Sequence, residues 1–150
     1  MALSTEDRLE IHELYARYAH SFDNEDGEGY AAVFAPDGRF LRAGLPDLVG
    51  TEALAEFVHE RHAETPGVSH HVSNLLVEET AGGVRGRAYV LVLRVVPGEP
   101  LILRNLGLYE DELVQVDGAW RFKTRTFTSW LEPVQLDRPF SFLDAAAAVA

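Results

Sequence analysis

The fold is decided by a long stretch in the second half of the chain, SHHVSNLLVEETAGGVRGRAYVLVLRVVPGEPLILRNLGLYEDELVQVDGAWRFKTRTFTSW, which runs from Ser69 to Trp130. It is rich in Val, Leu, Tyr, Phe and Thr, the residue types that favour strands. Three breaks with Gly or Pro divide it, and each has the composition of a hairpin connection. The stretch therefore predicts a meander of strands at 69–78, 84–96, 101–116 and 120–130.

The sequence before this stretch has helical spacing. Ser4 and Asp7 form an N-cap pair that opens a helix. The run DNEDGEG at 23–29 breaks this helix. Between the two signals an apolar stripe recurs at helical intervals and comprises Leu9, Ile11, Leu14, Tyr15, Tyr18, Ala19 and Phe22.

Shorter elements connect the first helix to the strands. We predict a second helix at 29–34, a turn at 35–38, a strand at 39–42 and a third helix that begins at Gly50-Thr51 and ends before Pro66-Gly67. Helices followed by a meander of long strands indicate an α+β domain with a strongly curved antiparallel sheet. Long twisted strands can wrap around the helices and leave a cone-shaped cavity.

Composition argues against several classes of protein and of binding partner. The 150 residues fit one domain, 1–150, in which 131–150 form a C-terminal tail. The net charge of −11, with 13 Lys+Arg against 24 Asp+Glu, argues against nucleic acid or an anionic membrane as a partner. The chain has no cysteine, which excludes disulfides and thiol catalysis. No signal peptide or apolar run of the ~20 residues that a membrane helix needs is visible, so we expect a cytoplasmic protein.

Two adjacent histidines stand at the start of the first long strand. Side chains alternate between the two faces of a strand, so His70 shares a face with Val72, Asn74 and Leu76, whereas His71 points the other way. The pair cannot form a joint metal site in one cavity, and we predict no catalytic metal. One of the two histidines points inward.

Asp23 lies just past the stripe of the first helix. It is either an ordinary turn residue or, if it points inward against a histidine, a partner that holds one imidazole tautomer and stabilises the charged ring. The other ring nitrogen is then a better base at neutral pH, as in a catalytic triad without the serine. Tyr18 can converge with Asp23 if the helix ends near Phe22, and is otherwise a core residue.

Arg125 belongs to the last strand, where alternation places it with Arg121, Lys123 and Phe127. An inward arginine could hold a carboxylate, an enolate or a leaving group. An outward arginine is a solvated sheet residue or a subunit contact, and the sequence alone slightly favours this outward orientation.

Together these motifs resemble the SnoaL-like group of the nuclear transport factor 2 (cystatin-like) superfamily. The resemblance is greatest to the branch with scytalone dehydratase, hexachlorocyclohexane dehydrochlorinase and bile-acid 7α-dehydratase, and covers about Leu9 to Trp130. The matching residues are Tyr18, Asp23, Tyr30-x-x-x-Phe34-x-x-Asp37-Gly38-x-Phe40, Gly50 at a helix start, Ser69-His70-His71-x-Ser73-Asn74 and Asp117-Gly118-x-Trp120-Arg121-Phe122.

The resemblance implies the roles of the candidate residues. His70 matches the general base of that branch, Asp23 its partner, and Tyr18 and Arg125 the hydrogen-bond donors of the bile-acid enzyme. It also implies a cone-shaped cavity, no metal or organic cofactor, and a homodimer or homotrimer built on the sheet face. We expect the substrate to contact Tyr30, Phe34, Phe57, Val72, Tyr89 and Leu106.

Two departures from the family pattern argue against transferring a known substrate. Scytalone dehydratase has a second active-site histidine on the next strand, where the nearest polar candidate here is Tyr89. The dehydrochlorinase has a lysine shortly before its aspartate, where this chain has His20.

The leading hypothesis is a cofactor-independent lyase or isomerase of the dehydratase type that acts on a small hydrophobic molecule. The alternatives are a ligand-binding domain without chemistry, a structural small subunit like that of ring-hydroxylating dioxygenases, and a polyketide-type cyclase. An epoxide hydrolase would need a second inward aspartate, which we do not identify. The enzyme hypothesis requires that His70 and Asp23 lie within hydrogen-bond reach inside the cavity.

Overall fold

The computed structural model describes residues 2–131, and these form three helices and one six-stranded sheet. Apart from Leu131, the predicted C-terminal tail at 131–150 lies outside the described residues. No helix in the described part is long and apolar enough to cross a membrane. The elements are α1 (Thr5–Asp23), α2 (Gly27–Ala32), β1 (Phe34–Arg42), β2 (Leu48–Val49), α3 (Gly50–Glu64), β3 (Val68–Thr80), β4 (Gly83–Arg94), β5 (Ile102–Val116) and β6 (Ala119–Ser129).

The sheet has the strand order β2-β1-β6-β5-β4-β3. Strands β3 to β6 form the predicted antiparallel meander, so the α+β architecture is confirmed. Strand β1, however, pairs with β6 in parallel. No short hairpin joins these two strands, so the connection does not force them to be antiparallel. The short strand β2, which the sequence analysis did not predict, pairs with β1.

Helix α1 begins where its capping signal predicts. The Ser4 side chain accepts the Asp7 backbone N–H, and the Asp7 carboxylate accepts the Ser4 N–H in return. The stripe is buried from Ile11 onward, but Leu9 is 65% exposed. Its inclusion in the stripe was wrong, because two residues of helix separate Leu9 from Ile11 by about 200°.

The boundary between α2 and β1 also differs from the prediction. Helix α2 begins at Gly27 because the Asp26 side chain caps it by accepting the Gly29 N–H at 2.8 Å. The predicted turn at 35–38 lies inside β1, where five steps from Phe34 to Arg39 oppose two steps in β6. The turn-forming residues at 35–38 therefore form a large bulge within β1 instead of a turn that precedes the strand.

Three further bulges bend the long strands. In β3 an extra residue lies between Ser73 and Leu76, where Asn74 has a positive φ of 54°. In β5 the extra residue is Arg104, and in β6 it is Lys123. Bulges bend a strand and increase its twist, so they curve the sheet around the helices. This curvature produces the cone.

The bulges also reverse the alternation of side chains beyond them. Past the β3 bulge, Leu75 and Val77 pack against the core while Leu76 is 59% exposed, so the prediction that Leu76 shares a face with His70 was wrong. Past the β6 bulge, Arg125 shares the inner face with Phe122 and is fully buried. The weak preference for an outward Arg125 was therefore also wrong.

A close approach at Gly86 predicts a stability effect. A Cβ at this position of β4 would collide with the Tyr15 hydroxyl, which is held by its hydrogen bond to Asp111. We expect Gly86→Ala to lower the free energy of unfolding by about 1–3 kcal/mol, because the buried ring has to shift. Gly82→Ala is the control, since its Cβ would meet its nearest atom only at 3.9 Å. Equal denaturation midpoints for the two variants would contradict the prediction.

Candidate active site

A cavity of about 480 Å³ opens between the helices and the inner face of the sheet. Helices α1 and α3 and strands β1 and β3 to β6 all contribute to its wall. The volume suits a small organic molecule. Its aromatic lining consists of Tyr18, Phe22, Phe40, Phe57, Tyr109 and Phe127.

His70 lines this cavity, and its imidazole meets the carboxylate of Asp23, which is not itself part of the cavity wall. The Nδ1 atom of His70 lies 2.6 Å from Oδ1 of Asp23, and the His70 backbone N–H donates to Oδ2 at 2.8 Å. The carboxylate therefore fixes both the imidazole and the strand that carries it. With Nδ1 donating to Asp23, Nε2 is the nitrogen left with a lone pair, and among residues 2–131 it has no partner.

Asp23 occupies an unfavourable place for a carboxylate. It is the last residue of α1, where the helix dipole concentrates partial negative charge. A negative side chain at this end weakens a helix by about 0.3–1 kcal/mol unless another group compensates it. The two donors of His70 provide that compensation. A carboxylate at a helix C-terminus is thus a sequence signal for a partner elsewhere in the fold.

The pair is shielded but not sealed from solvent. The side chains of His70 and Asp23 are 10% and 21% exposed. The imidazole packs edge-on against the rings of Phe22, at 4.7 Å between centroids, and Tyr18, at 6.5 Å. The neighbouring His71 is exposed on the other face, with its Nε2 3.1 Å from the Ser69 hydroxyl. The opposite orientation of the two histidines agrees with strand alternation.

Three tyrosines cluster beside the imidazole. The Tyr30 hydroxyl donates to that of Tyr18 at 3.1 Å, and the rings of Tyr18 and Tyr109 lie 5.6 Å apart. Burial raises the pKa of Tyr30 and of Tyr109 well above the usual value, and the neighbouring Tyr18 adds to both shifts. Both phenols therefore keep their protons at neutral pH. Tyr18 and Tyr109 line the cavity, whereas Tyr30 lies behind Tyr18.

Arg125 lies beneath these rings rather than on the cavity wall. Its Nε and one terminal nitrogen donate to the two carboxylate oxygens of Asp111 at 2.8 and 2.7 Å, with both side chains fully buried. Burial is the largest single influence and would lower the pKa of Arg125, but the charge and hydrogen bonds of Asp111, together with Tyr18 and Tyr15, raise it overall. The guanidinium carbon is 4.1 Å from the ring centroids of both Tyr18 and Tyr109, a cation–π arrangement.

Residues 4–126 match the family model described as a SnoaL-like domain. This is most of the chain. The chain belongs to the SnoaL-like family. The predicted resemblance is thereby confirmed, and family membership supports a domain of the kind that processes small molecules. Among curated protein sequences, no relative matches.

Solved structures of similar proteins share this SnoaL-like architecture. A protein of unknown function with a cystatin-like fold from Nostoc punctiforme is 27% identical, with 89% of this chain and 99% of that chain covered and a TM-score of 0.77. Rv3472 from Mycobacterium tuberculosis, also of unknown function, is 30% identical, with 86% and 78% covered and a TM-score of 0.73. A protein provisionally named a scytalone dehydratase from Novosphingobium aromaticivorans is 26% identical, with 82% and 83% covered and a TM-score of 0.71.

The six residues expected to contact the substrate of this SnoaL-like domain lie in different places: at the cavity wall, behind it or on the outer face of the sheet. Phe57 lines the cavity. Tyr30 and Phe34 pack behind Tyr18, with ring centroids 4.8 and 6.1 Å from it, and Val72 packs against the core. These residues support the wall, and a direct contact with substrate stays a prediction.

Tyr89 and Leu106 do not belong to the cavity wall. Their strand neighbours Val90 and Asn105 face inward, so alternation puts both side chains on the outer face of the sheet. Their selection as cavity residues is corrected accordingly. Tyr89 instead lies against Trp130, with 5.6 Å between ring centroids.

Sequence reasoning missed several residues of the site. Tyr109 lines the cavity and Asp111 binds Arg125, yet neither was singled out. The sequence pattern that could have identified them is an acidic residue two positions after a tyrosine, which places both on the inward face of a long strand. Three cavity arginines, Arg42, Arg61 and Arg104, were also not predicted as a group, because they come from three separate elements.

Proposed function

We propose that the protein is a cofactor-independent lyase or isomerase of the dehydratase type, which acts on a small hydrophobic organic molecule by general acid–base catalysis. The observation that carries the proposal is the 2.6 Å contact between His70 Nδ1 and Asp23 Oδ1 at the cavity wall. A base oriented by a carboxylate is the arrangement that proton transfer needs.

In the proposed reaction, Nε2 of His70 removes a proton from a carbon next to a carbonyl group. The electrons of the broken C–H bond form the carbon–carbon double bond of an enolate, and Asp23 stabilises the resulting imidazolium. When the enolate collapses, the bond to a hydroxyl group on the adjacent carbon breaks. The imidazolium returns its proton to that hydroxyl, which leaves as water.

Tyr18 is the proposed donor to the enolate oxygen. Because Tyr30 donates its own proton to the Tyr18 oxygen, the Tyr18 proton is free to point elsewhere. Tyr109 lines the same wall and is a second donor. Arg125 was expected to contact the substrate directly, but its position behind the Tyr18 ring favours an indirect role. We propose that it holds the two tyrosines in place.

The arrangement favours an enzyme over a domain that only binds ligands. A binding domain needs the cavity, but it does not need a carboxylate that engages both the ring and the backbone of one histidine. A polyketide-type cyclase would use the same aspartate and histidine to remove a proton. The proposal is therefore tested at the proton-transfer step that both activities share.

The test measures exchange of α-protons in D₂O. Bicyclic β-hydroxy ketones, with and without a carboxylate, are incubated with the protein, and exchange and water loss are followed by ¹H NMR. We expect the wild type to accelerate at least one of these processes above the buffer rate. Failure to accelerate either process with any member of the panel would refute the proposal.

Asp23→Asn is expected to lower the exchange rate by about 100-fold or more. Asp23 accepts two hydrogen bonds from His70, one at each oxygen. In the amide, one oxygen becomes an NH₂ donor that faces either the backbone N–H or the ring. If it faces the ring, the imidazole changes tautomer and loses the lone pair at Nε2.

Asp26→Asn is the matched control, since asparagine also caps a helix. A rate within a few-fold of wild type in Asp23→Asn would contradict the mechanism.

A further inference from the structure

The cavity is positively charged in a strongly acidic protein. The chain has a net charge of −11 and only 13 Lys+Arg. Three of those residues, Arg42, Arg61 and Arg104, line this one cavity, whereas no Asp or Glu of the described residues does so. Arg61 is paired with Glu64, so the excess positive charge of the cavity comes from Arg42 and Arg104.

Arg42 has donor capacity that the protein does not use. One terminal nitrogen donates to the Pro46 carbonyl at 3.1 Å, but Nε is buried without a hydrogen-bond partner in the described part of the chain. A buried unsatisfied donor is costly. The guanidinium carbon lies 4.7 Å from the Phe57 ring centroid and 5.3 Å from that of Phe40, so it packs against two aromatic rings of the cavity lining.

Other arginines of the chain show what a structural role looks like. Arg39 pairs with Asp47 at 2.7 Å, and Arg61 pairs with Glu64 at 3.0 Å. Arg42 and Arg104, by contrast, form no ion pair within residues 2–131. These two residues therefore bring positive charge to the cavity without a carboxylate in direct contact.

The surroundings of Arg42 favour an incoming anion. Burial lowers the pKa of Arg42, and the positive charge of Arg61 lowers it further. Arg61 also lies over the Phe57 ring, with its guanidinium carbon 5.7 Å from the centroid. A negative group between the arginines would relieve this repulsion and accept hydrogen bonds from their guanidinium groups.

We propose that the cavity selects molecules that carry an anionic group, a carboxylate or a phosphate, on a hydrophobic body. The anion binds to Arg42 and Arg104, and the hydrophobic body lies among the aromatic rings that lead to His70. That the reacting carbon faces His70 rests on the proposed function, but the preference for an anion does not.

The test uses three bicyclic probes of similar shape: 2-naphthoate, 2-naphthyl phosphate and neutral 2-naphthamide. Their dissociation constants are measured by calorimetry at moderate salt. We expect at least one anion to bind about tenfold or more tightly than the amide, the factor expected for a charged hydrogen bond. The tighter anion identifies which of the two groups the site accepts.

Substitutions locate the effect. Arg42→Met and Arg104→Met are each expected to reduce the preference for the anion several-fold, and together to abolish it. Arg87→Met is the matched control, because Arg87 pairs with Glu110 on the exposed outer face. Arg104 is exposed, so Arg104→Met should still fold. If circular dichroism shows that Arg42→Met is unfolded, the affinities of Arg104→Met test the proposal.

Two results would overturn the proposal: equal affinity of wild type for the anions and the amide, or a preference that persists when both arginines are replaced. Neither result depends on turnover. The same titration with His70→Gln should show the same preference for the anion over the amide. If the proton-exchange test fails while this preference is intact, the proposed function is overturned and the proposed anion selectivity is not.

Discussion

A His70→Gln variant is expected to exchange α-protons roughly 10²–10⁴-fold more slowly than wild type. Glutamine has no nitrogen that accepts a proton at neutral pH, so the step assigned to Nε2 is lost. Its amide can still donate to Asp23, which preserves much of the local structure. The loss would then reflect the missing base rather than a displaced strand.

His71→Gln provides the control for this variant. His71 is the next residue on the same strand, but its side chain is exposed on the opposite face. We expect its exchange rate to stay within about twofold of wild type, as for a surface residue outside the cavity. Equal losses in the two variants would indicate damage to the strand, and no loss in His70→Gln would exclude it as the base.

Asp111→Ala is expected to lower the free energy of unfolding by about 3–5 kcal/mol, the largest stability effect predicted here. The substitution leaves the fully buried guanidinium of Arg125 without its anion. It also removes the acceptor of the Tyr15 hydroxyl. A buried charge without a partner costs far more than the net stabilisation that the intact pair provides.

Denaturant unfolding with two companion variants tests this explanation. Glu110→Ala removes the carboxylate of an exposed pair with Arg87 and should cost less than about 1 kcal/mol. Replacing both Asp111 and Arg125 with apolar residues, as in Asp111→Leu with Arg125→Met, should recover much of the stability lost in Asp111→Ala. A double variant as unstable as the single one would show that packing, not the unpaired charge, is responsible.

The buried pair also connects stability to the site. Arg125 lies under the rings of Tyr18 and Tyr109, both of which line the cavity. Asp111, two residues after Tyr109 in β5, thus fixes the position of Arg125. The rings of Tyr18 and Tyr109, the proposed donors, pack against this guanidinium. We therefore regard Arg125 as a positioning residue.

Much of the fold follows from short-range patterns. The capping pair at Ser4, the apolar stripe of α1 and the Gly- and Pro-containing hairpins each involve residues close in sequence. Such signals act locally, so they can be recognised without tertiary structure. The same holds for the opposite orientation of His70 and His71, which precede the bulge of β3.

The sequence by itself determined the α+β class, a first helix that ends near Phe22 and the separation of the two histidines, because helical and strand periodicity depend on neighbouring residues alone. Only the tertiary structure decided that Arg125 is buried, since the bulge at Lys123 depends on how β6 pairs with β5. It likewise decided the charge of the cavity, because arginines from three distant elements converge only when the sheet curves around the helices.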